Sequence, residues 1–541
     1  MNRRIRPLIL TLSLAAASAA QGADLLIEHV RGYSIDSSGV AQRFDALLID
    51  HGKVVAVGTQ ATLAAQAGKA RVVDGEGHVL LPGLIDAHGH VMNLGELRSQ
   101  VDLTETRTLA DALAIVQRHA TAHPGTTWIR GRGWNQEIWK LGRFPSAADL
   151  DAVVPDRPVW LRRVDGHAGW ANNAALKRAH IVAATKDPLG GRIERDATGA
   201  PSGVLVDAAM DLLEKTLPAA SAAENAAMLD VALGEMTKLG LTGVHDAGID
   251  YATFSLYKKY ADARKLTTRI YAMIGDVGKD FDRLSRKGPL IGYGDDFLTV
   301  RSVKLYADGA LGSRGAALLA PYSDDPGNSG LLFHPQAELD AMVGKALSKG
   351  YQVNVHAIGD RGNREILDAF AHAYAAQGGE HLRNRIEHAQ VVALDDIPRF
   401  AELKLIASMQ PTHATSDMNM AEQRVGAQRI RGAYAWRHFL AQGTIVAGGS
   451  DFPVESANPF FGLHAAVTRQ DHANQPTAGW YPDQALSVTE ALRAFTRDAA
   501  WAAHEETTQG SLEPGRWADF VLVDRDIFTT PHEDIWKTKV L

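Results

Sequence analysis

In the first eighty positions, apolar runs are short and closely punctuated by glycine. The runs at 25–30, 46–50, 54–57 and 71–73 are set off by Gly52, Gly58, Gly75 and Gly77, which predicts a small antiparallel β unit. A similar run at 518–524 follows the turn Glu513-Pro514-Gly515. The two chain ends, residues 24–82 and 505–541, are therefore expected to meet in one β-sandwich.

Between them the period changes. Eight apolar strand-like runs, at 83–87, 242–246, 269–274, 302–307, 352–355, 385–387, 406–409 and 444–447, alternate with helical stretches such as 337–348 and 364–376. Such alternation predicts a parallel α/β sheet, and eight strands is the number that closes a (β/α)8 barrel. A doubly wound open sheet is the alternative that the pattern leaves open. One stretch, 104–240, breaks the repeat between the first strand (83–103) and the remaining seven (241–504). It has strand-like runs of its own at 127–131 and 158–162 and helical runs at 109–121 and 222–239. It is expected to be an inserted α/β subdomain that shapes the mouth of the barrel.

Composition narrows this picture only slightly. With 45% hydrophobic and 22% charged residues the chain is an ordinary globular one, and a net charge of -7 gives no footing for nucleic acid or an anionic membrane. A small-molecule partner fits such a surface better. The 541 residues contain no cysteine, which excludes disulfides, thiolate metal ligands and cysteine nucleophiles together. The first 23 residues read as an export signal. Arg3, Arg4 and Arg6 precede an apolar run at 8–17 that is too short to span a bilayer, and the small residues Ala17 to Ala20 come next. A periplasmic or secreted protein beginning between Gln21 and Asp24 is expected, with an uncleaved anchor as the alternative.

Polar residues with chemical capacity recur where apolar strands end. Asp86-Ala87-His88-Gly89-His90 places three polar side chains two apart, on one face of a strand. With 21 histidines in the chain, chance alone supplies about one such His-X-His pair. The weight comes from the ordered set further along the chain: Lys304 within Val-Lys-Leu-Tyr, His356 after Asn-Val, His388 after Ile-Glu, and Asp451 after Gly-Gly-Ser. A single strand-end histidine is more often a hydrogen-bonded core residue, a buried aspartate can cap a loop and a buried lysine can be ion-paired. Four histidines, a lysine and an aspartate distributed over the C-terminal ends of barrel strands have no such structural purpose. They point to a divalent metal site.

These residues resemble the amidohydrolase superfamily, whose pattern is His-X-His on strand one, lysine on strand four, histidine on five and six, and aspartate on eight. Longer segments narrow the resemblance to a branch that includes N-substituted formamide deformylase and the exoenzyme-regulatory-like hydrolases. They are 304–314 (KLYADGALGSR), 355–360 (VHAIGD), 385–389 (RIEHA), 408–413 (SMQPTH), 449–454 (GSDFPV) and 510–519 (GSLEPGRWAD). Members of this branch usually continue past the position of Val540 into another strand; here the sequence stops at Leu541.

The resemblance implies hydrolysis of a non-peptide carbon–nitrogen bond with His88, His90, Lys304, His356, His388 and Asp451 as metal ligands. The expected ion is zinc, which would bring the pKa of bound water from about 15.7 towards about 7. Asp451 would shuttle the proton, and His413, at the end of strand seven, would donate a hydrogen bond to the tetrahedral intermediate. An ammonium at Lys304 would suffer desolvation and metal repulsion, which favours a neutral amine able to form a carbamate with carbon dioxide. Carboxylated Lys304 would then bridge two ions, one held by His88, His90 and Asp451 and the other by His356 and His388. The alternative is one metal with Lys304 paired to Asp308.

Trp134, Asn135 and His167, in the insertion, either contact substrate or pack its core. Arg314 either binds an anionic or carbonyl group or pairs with Asp308. A deaminase or cyclic-amide hydrolase on the same scaffold is the nearest rival, and a non-catalytic regulatory protein the rival from another class. Loss of a metal ligand would favour the last, and none is lost.

Overall fold

A computed structural model of the chain describes residues 23–36, 38–218 and 220–541, so the export segment read at 1–23 lies outside the described residues except for Ala23. The eight runs form the barrel strands: β1 (Leu84–Gly89), β2 (Leu241–Ile249), β3 (Arg269–Ile274), β4 (Leu298–Tyr306), β5 (Gln352–Ala357), β6 (Arg385–His388), β7 (Ile406–Met409) and β8 (Val446–Gly448). Each pairs in parallel with the next. Residues on both faces of β1, β3, β5, β6, β7 and β8 are buried throughout, as a sheet covered by helices requires.

The sheet closes between β8 and β1, which removes the open-sheet alternative. Asp451 N–H donates to His88 O at 2.7 Å and His90 N–H to Phe452 O at 2.8 Å. The Asp86 carboxylate completes this seam. It accepts from Ser450 Oγ at 2.6 Å, from Ser450 N–H at 3.0 Å and from His88 N–H at 3.0 Å. Asp86 is therefore held by the barrel itself. Only glycine fits at 449, since a Cβ there would lie 2.6 Å from His88 N and 2.8 Å from Asp86 Oδ1.

The insertion is a six-stranded sheet in the order 191–195, 201–207, 168–171, 159–163, 129–134 and 101–102. It begins earlier than the sequence pattern suggests, at Val101. It also ends earlier. The helix Ala222–Lys238 buries Leu229, Leu233 and Met236 in the barrel's own core, beside β2.

The β unit of the chain ends also differs from the expected sandwich. Its described strands are hydrogen-bonded into one six-stranded sheet, bent at a bulge between Glu28 and Gly32. One face is covered by the helix Gln60–Ala67 through Leu63 and Ala67 rather than by a second sheet. The C-terminal strand Phe520–Val523 pairs antiparallel with Val79–Pro82, the segment leading into β1. Leu541 N–H donates back to Leu522 O, so the last residues pair along that strand too. The Arg269 guanidinium, on β3, ties this unit to the barrel through Asp519 at 2.7 Å. Among the described residues no helix is long and apolar enough to cross a membrane.

Replacing Asp86 with Ala leaves the buried Ser450 and His88 N–H groups without an acceptor. The substitution is expected to cost about 1–3 kcal/mol, read as a lower melting temperature. An unchanged melting temperature would mean that the backbone bonds alone hold the seam.

Candidate active site

The C-terminal ends of β1, β4, β5, β6, β7 and β8 bring His88, Lys304, His356, His388, His413 and Asp451 to one end of the barrel, with His90 one residue beyond β1. Donor atoms of His88, His388 and Asp451 all lie within 4.8 Å of one another. His90 Nε2 is 3.0 Å from Asp451 Oδ1, and the His356 and His388 rings are 4.6 Å apart. Lys304 Nζ is 3.3 Å from His88 Nε2 and 4.6 Å from the centre of the Tyr306 ring. The tightest triad thus draws on both of the expected ligand groups. His388 (φ 74°) and Asp451 (φ 60°) sit in the left-handed region, which non-glycine residues enter at a cost.

Four of the imidazoles are oriented by a hydrogen bond on the ring nitrogen away from the cluster. His88 Nδ1 donates to Glu387 Oε2 at 2.5 Å, His388 Nδ1 to Gln410 Oε1 at 2.7 Å and His167 Nδ1 to Asp207 Oδ1 at 2.7 Å. These bonds put the lone pair of each ring on Nε2, which in His88 faces Lys304 Nζ. His356 Nε2 lies 3.4 Å from Gly309 O, which leaves its Nδ1.

Burial pulls the His88 imidazole down to about 4, helped by the Lys304 charge, and holds His356 and His388 well below the usual histidine range. Neutral rings with available lone pairs are what a metal ion needs. Burial alone would raise Asp451, but the imidazoles of His90, His88 and His388 outweigh it and keep the carboxylate ionised. Glu387 is likewise penalised by burial and kept ionised by Arg385, 3.2 Å away.

Asp451 Oδ1 is buried and turned toward the imidazoles, 3.0 Å from His90 Nε2 and 3.6 Å from His88 Nε2. An ionised carboxylate converging with the buried imidazoles of His88 and His388 fits a divalent cation. Lys304, 1% exposed, forms no ion pair with Asp308, whose carboxylate is taken by the N–H groups of Ile358, Gly359 and Ala317 at 2.8–2.9 Å.

Above these residues opens a cavity of about 470 Å³ lined in part by Asn135, His167 and His413. The His167 ring lies 5.1 Å from His356, so this residue of the insertion borders the metal-ligating candidates. Two expected substrate residues fall elsewhere. Trp134 is fully buried in the insertion's core, where its Nε1 donates to Leu161 O; strand alternation puts Gly133 and Asn135 on the cavity side and Trp134 on the other. Arg314 is held by Asp324 at 3.1 Å rather than by Asp308, and it does not line the cavity.

Sequence reasoning passed over Glu387, Gln410 and Asp207. Glu387 carried a signal, being an acid inside a buried strand two residues after Arg385. Asp207 carried none, since its partner is 40 residues away.

A barrel with convergent imidazoles, a carboxylate and a lysine at its C-terminal mouth defines a metal-dependent hydrolase. The model of the Amidohydrolase family matches residues 71–541. The chain belongs to that family, and the protein is a metal-dependent hydrolase of the amidohydrolase superfamily. It is 34% identical to Protein LONG AFTER FAR-RED 3 of Arabidopsis thaliana over 97% of this chain and 91% of the relative. It is 28% identical to the N-substituted formamide deformylase of Arthrobacter pascens, over 93% and 94%. An uncharacterized metal-dependent hydrolase from Pyrococcus horikoshii OT3 superposes with a TM-score of 0.75 at 26% identity, covering 94% of this chain and 99% of that one.

Removing the group that orients His88 should weaken metal binding without touching a ligand. Glu387→Ala is expected to lower metal affinity by about 10–100-fold, measured by chelator competition. Undiminished affinity would show that His88 is oriented by its backbone alone.

Proposed function

We propose that this protein hydrolyses a non-peptide carbon–nitrogen bond in a small molecule, such as an N-formyl or N-acyl amide, with zinc held by His88, His90, His356, His388, Asp451 and a carboxylated Lys304 bridging two ions. The observation that carries the reading is Asp451: a buried carboxylate kept ionised by the imidazoles of His90, His88 and His388, with donor atoms of His88, His388 and Asp451 all within 4.8 Å of one another. The bound metal supplies water activation and carbonyl polarisation. Asp451 takes the proton of the attacking water and returns it to the leaving nitrogen. His413 Nε2, 3.6 Å from Asp451 Oδ2 and without a partner among the described residues, donates to the oxygen that develops charge. Asn135 and His167 line the cavity and contact the substrate. What supports the bridging role of Lys304 is its buried amine, beside His88 and without a carboxylate partner. The N-terminal segment implies that the enzyme works in the periplasm or outside the cell.

The experiment is metal analysis of the purified protein followed by a hydrolysis screen of N-formyl and N-acyl amines, with ring amides and aminated heterocycles alongside. About two metal ions per chain and turnover of open amides are expected. Turnover confined to aminated heterocycles or ring amides would replace this reading with a deaminase or cyclic-amide hydrolase.

Two variants separate the residue roles. Asp451→Asn should lower kcat by about 10²–10⁴-fold, and near wild-type turnover would move the proton transfer to another group. Lys304→Ala should lose activity and metal together, with partial recovery on adding short-chain carboxylic acids. Full metal content in that variant would remove the bridge from the site.

A further inference from the structure

Of the carboxylates that line the cavity besides Asp451, Asp102, Glu105, Glu137, Asp165 and Glu235 each face an arginine, whereas Asp417 and Glu455 do not. Asp417 ends the helix Pro411–Asp417, which also supplies His413, and Glu455 lies on the loop after β8, four residues beyond Asp451. Both line the cavity. Tyr434 Oη donates to Asp417 Oδ2 at 2.7 Å and Gln390 Nε2 to the same oxygen at 3.0 Å. Ser416 Oγ donates to Glu455 Oε1 at 2.6 Å. Among the described residues every hydrogen-bond donor to these two carboxylates is therefore uncharged. Arg163, the arginine whose charge reaches Asp417, is already engaged by Asp165, with Gln136 at 2.8 Å and Asn135 at 3.2 Å. Burial pushes both carboxyl groups up, against the opposing influence of the neighbouring His413. The same wall holds His413, which is 8% exposed and whose Nε2 has no hydrogen-bond partner. Within it, the two acids have only uncharged donors and His413 Nε2 has none among the described residues.

We propose that Asp417 and Glu455 form a subsite for a positively charged amine on the leaving-group side of the scissile bond, so that the substrates are amides of diamines or of other cation-bearing amines. The inference rests on the amide-hydrolase reading above. Asp451, which returns the proton to the leaving nitrogen in that reading, shares its loop with Glu455. His413, its neighbour at 3.6 Å, shares its helix with Asp417. The two acids thus flank the side from which the amine departs.

A second ammonium on that amine would donate charge-assisted hydrogen bonds to both carboxylates, whereas a plain alkyl group would leave two shielded anions unpaired. The reaction itself is ordinary hydrolysis. Water oxygen bonds to the acyl carbon, the carbon–nitrogen bond breaks, and the leaving nitrogen takes the proton.

The test compares monoformyl and monoacetyl α,ω-diamines with the matched N-alkyl amides on the fully metallated enzyme. The cationic substrates are expected to win by about tenfold or more in kcat/KM, less so at high salt. The double variant Asp417→Asn with Glu455→Gln should bring that ratio near one, chiefly through KM, with metal content retained. The free diamine should also inhibit the wild-type enzyme more strongly than the monoamine, a readout that needs no variant. Equal kcat/KM for the matched pair, equal inhibition, or a preference that survives in the double variant would each overturn the subsite. If the metallated wild-type enzyme cleaves no amide at all, the amide-hydrolase reading falls and the subsite with it, an outcome distinct from cleavage without preference.

Discussion

Inside the barrel, below its ring of imidazoles, Arg385 and Glu387 are both fully buried with 3.2 Å between Nε and Oε1. Removing one partner of such a pair is strongly destabilising, yet the pair as a whole adds little stability over well-packed apolar residues. Its consequence here is geometric. Asn354 and His245 fix the guanidinium at 2.9 Å each, the guanidinium keeps Glu387 ionised, and Glu387 fixes the ring of His88. A chain of four strands, β2, β5, β6 and β1, is thereby set in register beneath one imidazole nitrogen.

The burial that makes the interior pair costly also prepares the metal-ligating candidates. Histidines in a water-poor barrel mouth stay neutral, and an aspartate set among them stays ionised, so donors of both kinds are ready before any ion arrives. The insertion completes the site from outside. Asp207, on one of its strands, orients His167 against His356 and so couples the subdomain to the barrel mouth. Among the described residues, none of the sheet made from the chain ends lines the cavity at the mouth. Tyr33–Asp526 joins its two chain ends, and Arg269–Asp519 ties it to the barrel at β3, away from the mouth.

Strand identity was legible throughout the barrel, because two-residue alternation and apolar runs are properties of neighbouring residues. The eight runs read from the pattern all became barrel strands, and the residues at their ends converge. Legibility failed where a side chain's fate depends on an abrupt local turn of the backbone or on a distant partner. Trp134 and Asn135 are adjacent, and only the orientation of the sheet sends one to the core and the other to the cavity. Glu387 and His388 should oppose each other on a regular strand, but the left-handed backbone at His388 breaks the alternation and both serve the same cluster.

Residue types, their order and their positions at strand ends were thus determined by the sequence, because covalent spacing and the pleat fix them locally. Which acid supports which histidine was decided by folding. His88 meets Glu387 across 299 positions, Asp86 meets Ser450 across 364, and Arg314 closes on Asp324 rather than Asp308. The first two arise only in the closed barrel, which brings β1 beside the last strand and across from β6, and the third depends on how the segment after β4 folds back on itself.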